Sequence, residues 1–277
     1  MQVQKYRFNS KTKTTFTTGD TNLDQFLGGG ILTGSITELV GASGTGKSQL
    51  AMQFCLTSQL SRDRGGLGGC NSIYISTCSP FSIKRFKQIE EARFGMNGVE
   101  FSDNVSVLHI RDLGTQMHFI KYQLPNLMET MKIRLVVIDS FCSNFRVVES
   151  ESHEMEQMDT ADRAQLIYES CGVLKQLAVD FQAAFVLLNQ VSANFRTPFV
   201  SISGSGAIGA ATYEHTEKVW DISNVPALGQ AFASCVNTRL QLSRSSDGQR
   251  KIHIAFSPNN ASGTCLFQLT DAGLQGI

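Results

Sequence analysis

The order of apolar patterns along this chain predicts an α/β fold, a mostly parallel sheet flanked by helices and finished by antiparallel C-terminal edge strands. Three observations predict it. Short apolar runs alternate with longer stretches of helical period over most of the chain. A glycine-rich string, GASGTGKS at 41–48, stands between one such run and one such stretch. Three β-patterned segments end the chain, and Asp247-Gly248 between the first two is a strong hairpin signal.

The elements follow in order. SITELV (35–40) reads as a short apolar strand leading into the glycine string. KSQLAMQFCLTSQL (47–60) places Leu50, Phe54, Leu56 and Leu60 near helical spacing. GGLGG (65–69) breaks the chain, and SIYIST (72–77) is the second strand. FSIKRFKQIEEARF (81–94) is an amphipathic helix, VSVLHI (105–110) a strand, and residues 116–131 helical again. RLVVID (134–139) and AAFVLLN (183–189) are unbroken apolar runs, the mark of strands buried on both faces. Between them, residues 160–181 carry Leu166, Ile167, Leu174 and Leu177 at helical period. NTRLQLSRS, RKIHIAFS and TCLFQLT are the closing β segments. Two stretches fit neither period, the acidic 143–163 and the Gly/Ser/Ala-rich 192–220. Loops of that length inside a domain are functional or disordered.

Length and composition narrow the classes. The 277 residues suit one large domain, or one domain with a small appendage, and 42% hydrophobic content supports a sizeable core. No apolar run of about 18 residues predicts a membrane span. The first sixteen residues lack the apolar stretch of a secretory signal. Formal net charge is zero, so nucleic-acid binding has to come from a local patch or through a partner. Seven scattered cysteines form no C-x-x-C pair, which gives neither a zinc site nor a disulfide framework and points to a reducing compartment.

The string 41–48 fits G-x-x-x-x-G-K-[ST], and its context of strand before and helix after supports a phosphate-binding reading over a flexible turn. Gly41, Gly44 and Gly46 let backbone amides converge, with Ala42, Ser43 and Thr45 between them, and the next helix adds its positive end. Lys47 can reach phosphate oxygens and Ser48 a magnesium ion. Asp139 ends a buried strand, where a second magnesium-ordering carboxylate belongs, or else it caps the segment that follows. Asn189-Gln190 ends the adjacent strand, either as turn chemistry or with Gln190 sensing the γ-phosphate.

At this point the residues resemble a known family. TTGDTNLDQFLGGGILTGSITELVGASGTGKSQLAMQF, LVVIDS, NQV, VPALG and RKIHIAFSPNNASGTCLFQL are similar to segments of the RecA-like strand-exchange recombinases, from about Thr17 to Gly276. GGL before the second strand, PFSIKRF after it, and VPALG followed by a T-R-L strand resemble the recombinase paralogues more than the main recombinase. The resemblance implies a RecA-type P-loop ATPase core over 17–277, preceded by a tail, 1–16, available for docking a partner. It implies ATP and Mg2+ held between subunits, and work in homologous recombinational DNA repair in the nucleus. Implied partners are another recombinase paralogue, the main recombinase, and single-stranded or branched DNA within a complex. Carried over by position, Gly41 through Ser48 would hold phosphate, Ser48 and Asp139 the metal, and Gln190 would be the sensor. Pro258 lies where the family caps a neighbour's nucleotide. The loops after Asp139 and after Gln190 would face DNA.

The departures from the pattern are as telling. Active relatives place a water-activating glutamate after the second strand, in Y-I-D-T-E; here the stretch reads Tyr74-Ile75-Ser76-Thr77-Cys78. A thiol with a reference pKa of ~8.5 is a poor base near neutral pH, and loss of a positioned base removes roughly 10²–10⁴ in rate. Hydrolysis is therefore expected to be slow or absent. The capping aspartate before the Ser-Pro pair is replaced by Phe256, which puts in doubt whether a second copy of this chain could complete the site. Only about sixteen residues precede the core, with no counterpart of the family's small helical DNA-binding domain. The F-x-x-A docking segment has one literal match, FQAA at 181–184, inside the core. Phe8 and Phe16 are alternative docking aromatics, Phe16 equally a core residue of the first strand.

The Gly-rich stretch carries Arg196 and Lys218 with Phe195, Phe199, Tyr213 and Trp220, a mixture suited to single-stranded DNA through phosphate pairing and stacking. The acidic loop, with Glu149, Glu151, Glu154 and Glu156, would repel DNA. Two other functions compete with an ATP-holding paralogue. One is an active DNA-dependent ATPase that exchanges strands itself, opposed by Cys78 and the neutral charge. The other is an unrelated P-loop kinase, opposed by the long loops and the β-rich C-terminus.

Overall fold

Apolar runs that stay apolar on both faces need cover on both faces, and the molecule supplies it with helices above and below one sheet. The structure is a computed structural model in which residues 14–95, 101–150, 159–193 and 224–277 are described. β1 (Thr15–Phe16) pairs antiparallel with β2 (Ile31–Leu32). Between them lies α1 (Thr21–Phe26), whose N-cap Asp20 accepts from the Leu23 amide. β3 (Ser35–Val40) runs through the glycine string into α2 (Lys47–Thr57), followed by β4 (Asn71–Ser76), α3 (Ile83–Phe94) and β5 (Val105–His109).

The next helical stretch is α4 (Leu113–His118), a π-helical turn at Phe119–Gln123, and α5 (Leu124–Thr130). Pro125 lacks an amide to donate, and the turn before it widens so that the Leu124 amide reaches the Phe119 carbonyl. β6 (Ile133–Asp139), α6 (Ser143–Ser150), α7 (Thr160–Phe181) and β7 (Ala184–Asn189) complete the parallel part. β8 (Val191–Ala193) pairs antiparallel with β9 (Asn224–Pro226). The short α8 (Gly229–Ala233) leads to β10 (Thr238–Arg244), β11 (Arg250–Phe256), β12 (Thr264–Thr270) and β13 (Gly273–Gly276).

The main sheet has nine strands in the order β13-β12-β11-β10-β3-β7-β6-β4-β5. From β10 to β5 every neighbour is parallel, and from β10 to β13 every neighbour is antiparallel, so the expected architecture is the observed one. One face packs on Leu50, Phe54 and Ile89 of α2 and α3, the other on Leu124, Leu174 and Phe232 from α5, α7 and α8. Fully burying each such side chain contributes about 1.5–3 kcal/mol. The chain passes from β3 to β4 over two strands, β7 and β6, that are inserted later. Their carboxyl ends lie side by side, where open α/β sheets form clefts.

Four findings refine the sequence reading. The 143–163 stretch is not loop throughout, since 143–150 is α6 and α7 starts at Thr160. Phe145 is buried against Phe141, four residues before it, and Asn144 Nδ2 donates to Gln116 Oε1 at 2.8 Å. The 192–220 stretch likewise begins in strand β8. A fourth C-terminal strand, β13, pairs with β12 although two of its four residues are glycine. Phe16 is fully buried edge-on to Phe54, 5.9 Å between centroids, which settles it as core. FQAA does span a helix-to-strand junction, with Ala183 and Ala184 fully buried. Phe8 lies outside the described residues.

Candidate functional site

The carboxyl ends of β3, β4, β6 and β7 enclose a cavity of about 670 Å³. The string 41–48 forms its floor. Gly41 has no substitute there, because a Cβ would stand 2.2 Å from the Leu242 carbonyl of β10. Gly46 opens α2 at φ 114°, a conformation that disfavours any side chain. Thr45 Oγ1 donates to the Ala42 carbonyl at 2.9 Å, and Arg250 of β11 donates to the Gly44 carbonyl at 2.7 Å. Gly41, Ala42, Ser43, Gly44, Gly46, Lys47 and Ser48 all line the cavity, while Thr45 braces the loop from behind and is buried.

Lys47 Nζ donates to the Gly41 and Ala42 carbonyls at 2.7 and 2.8 Å. Burial pushes its ammonium below the usual range, against the opposing pull of Asp139. A cation that is partly desolvated and held only by neutral carbonyls is well disposed to exchange them for an anion. Asp139 ends β6 on the opposite wall and accepts from the buried Tyr74 hydroxyl at 2.5 Å. Converging amides and an ammonium suit phosphate, and the Ser48 and Asp139 oxygens are the hard donors that suit magnesium. The residues present therefore fit a magnesium-bound nucleotide.

The far wall is poorer in chemistry. Cys78 follows β4, is exposed to the cavity, and donates through Sγ to Ser143 Oγ at 2.8 Å. Gln190 also lines the cavity, and its Oε1 accepts from Arg146 Nη1 at 3.3 Å. Among the described residues lining the cavity, Asp139 is the only acid. Pro258 is exposed on the β11–β12 connection and does not line the cavity of its own chain. Phe195, Arg196 and Lys218 lie outside the described residues. Phe256, in place of the expected aspartate, packs under the Arg239 guanidinium, 5.1 Å from ring centroid to Cζ.

Sequence reasoning missed what fixes Gln190. Glu38 of β3 is fully buried and takes a 2.6 Å ion pair from Arg239 Nε of β10. Burial pushes the Glu38 carboxyl above its usual value of 4.5, although Arg239 and Asn189 pull the other way. Its second oxygen accepts from Asn189 Nδ2 at 2.7 Å, and that amide also donates to the Ala227 carbonyl at 2.9 Å. The Ala227 amide in turn donates to the Gln190 carbonyl at 2.8 Å. The strand end carrying Gln190 is thus tied to the segment after β9 on both sides. A glutamate inside an apolar strand run, Glu38 within SITELV, was the one sequence signal for this network.

Comparison with known proteins agrees with the fold. The Rad51 family model matches residues 10–277. DNA repair protein rhp57 of Schizosaccharomyces pombe is 33% identical over 271 residues, 88% of this chain and 74% of its own length. An Arabidopsis thaliana protein named DNA repair protein XRCC3 homolog is 32% identical, covering 97% of this chain and 95% of its own. The mouse DNA repair protein XRCC3 is 29% identical over 92% of this chain and 73% of its own. The chain belongs to the Rad51 family, the RecA-like nucleotide-binding class that its motifs resembled. Its resemblance to the paralogue branch is matched by relatives of the rhp57 and XRCC3 kinds, and membership sets aside the unrelated kinase.

Proposed function

We propose that this chain is an ATP-binding recombinase paralogue of homologous recombinational DNA repair, holding ATP with Mg2+ and splitting it slowly or not at all. One observation carries the reading. The cavity has the groups needed to grip a triphosphate, yet the only acid among its described lining residues, Asp139, is engaged by Tyr74, and Cys78 stands where a water-activating base belongs. A magnesium-bound triphosphate would supply a charged ligand that draws Lys47, Ser48 and the loop amides together. The chain's own residues bind and orient it; Cys78, hydrogen-bonded to Ser143, gives an attacking water no effective base.

The repair names of the rhp57- and XRCC3-type relatives support work in the same process, in the nucleus. The partners proposed are another paralogue and the strand-exchange recombinase, whose assembly or remodelling this chain assists. Single-stranded or branched DNA would be met through Phe195, Arg196 and Lys218 inside such a complex, and Pro258 would cap a neighbour's nucleotide. The tail 1–16 is proposed as the docking segment ahead of a 17–277 core. Among the described residues no helix is long and apolar enough to cross a membrane.

Purifying the tagged chain from its own cells, with identification of co-purifying proteins and bound nucleotide, tests this. A heteromer containing a second family member with ATP bound is expected. A homogeneous self-assembling filament that hydrolyses ATP when given DNA would replace this reading with the active strand-exchange recombinase.

A further inference from the structure

The geometry points to Asn189 as a positioning residue, its buried side-chain amide holding the strand end from which Gln190 faces the cavity and so setting the preference for ATP over ADP. This inference rests on the reading of Gln190 as the γ-phosphate sensor and deepens it.

β3 lies between β10 and β7 in the sheet. Glu38 of β3 stands opposite Arg239 on β10 and opposite Leu187 on β7. Asn189 is two residues beyond Leu187 on the same strand, so it projects to the same face, and it is fully buried there. Arg239 Nε takes one Glu38 oxygen at 2.6 Å, and its guanidinium lies 5.1 Å over the Phe256 ring. The other Glu38 oxygen accepts from Asn189 Nδ2 at 2.7 Å. The same nitrogen donates to the Ala227 carbonyl at 2.9 Å. A carboxylate paired with arginine and a backbone carbonyl only accept, so the amide orientation is set; turned over, it would put oxygen against oxygen twice.

Ala227 carries the brace on to Gln190. Its amide donates to the Gln190 carbonyl at 2.8 Å, while its own carbonyl accepts from Asn189. Without the Asn189 amide, one of these two ties is gone and a buried Glu38 oxygen loses its donor. Gln190 lines the cavity and Asn189 does not, so Asn189 acts through its neighbour. The Gln190 side chain is held more lightly than its backbone, with Oε1 accepting from Arg146 Nη1 at 3.3 Å. A firm mounting with a free tip suits a sensor of one phosphate group, because a displacement of about 1 Å forfeits a directional contact.

Affinities of the full chain for ATP and for ADP, measured with Mg2+ by calorimetric titration, test this. Asn189→Ala is expected to narrow the preference for ATP over ADP about fivefold, as far as Gln190→Ala does, while affinity for ADP stays within about twofold of the parent. Retained ADP binding also shows that the variant folds. In a Gln190→Ala background, Asn189→Ala is expected to add nothing, since two residues that act through one contact are not additive. Asn189→Ser keeps a single donor in a smaller side chain and serves where the alanine variant does not fold; its preference should narrow in the same direction. An undiminished ATP preference in the Asn189 variants beside a narrowed one in Gln190→Ala, or equal losses of ATP and ADP affinity in the Asn189 variants, overturns the positioning role and leaves the sensor standing. An unchanged preference in Gln190→Ala overturns both.

Discussion

The floor and the far wall of the same cavity are built to different standards. On the floor, Lys47 is held by two carbonyls, the Gly44 carbonyl by Arg250, and the Ala42 carbonyl also by Thr45. On the far wall, Cys78 leans on Ser143 and Gln190 on Arg146 at 3.3 Å. Binding a triphosphate needs preorganised donors, and cleaving it needs a base and a sensor in addition. The contrast teaches that the loop 41–48 is organised independently of the groups opposite it, so that on the proposed reading ATP is held without being split.

The comparison can be broken or sharpened by substitution. Lys47→Ala removes the only lysine among the described lining residues and should weaken ATP binding about a hundredfold, or ~2–3 kcal/mol, in equilibrium titration. Retained affinity would show that the floor has been misplaced. Cys78→Glu restores a carboxylate to the far wall and should raise single-turnover hydrolysis by at least about tenfold, the modest end of what a positioned base provides. No gain would mean that the far wall lacks more than its base. Gln190→Ala should narrow the preference for ATP over ADP about fivefold, the worth of one neutral hydrogen bond. An unchanged ratio removes Gln190 from the sensing role.

The smallest effect concerns pH. Because Glu38 binds its proton more tightly in the folded chain than in the unfolded one, its contribution to stability is fully present below the usual value of 4.5. It is lost as pH rises through the raised folded value, where the folded state would still hold the proton that the unfolded state has released. Urea unfolding of the parent from pH 4.5 upward should show this declining component, and Glu38→Gln should flatten it.

What was legible in the sequence follows from the range of the interactions concerned. SITELV, RLVVID and AAFVLLN reveal buried strands because their apolarity is local, and Asp247-Gly248 marks its hairpin because turn chemistry is local too. The loop 41–48 was readable because every part of it is contiguous. α6 was not, since its eight residues are too few to stand out within an acidic, polar stretch, and the bond from Asn144 to Gln116 that anchors it spans 28 residues of sequence. β13 was not, since Gly273 and Gly276 carry no strand preference and its pairing to β12 supplies the order. Tyr74 reaches Asp139 only because β4 lies next to β6, an adjacency that the order of strands along the chain does not state.

The most direct measurement is a single-turnover experiment on the purified chain. Radiolabelled ATP is bound with Mg2+, excess cold ATP is added, and protein-bound label is followed as ATP or ADP over an hour. The expected result is that label is retained as ATP and leaves by dissociation before it is split. Rapid conversion to ADP by the chain alone, or no bound label at all, contradicts the account.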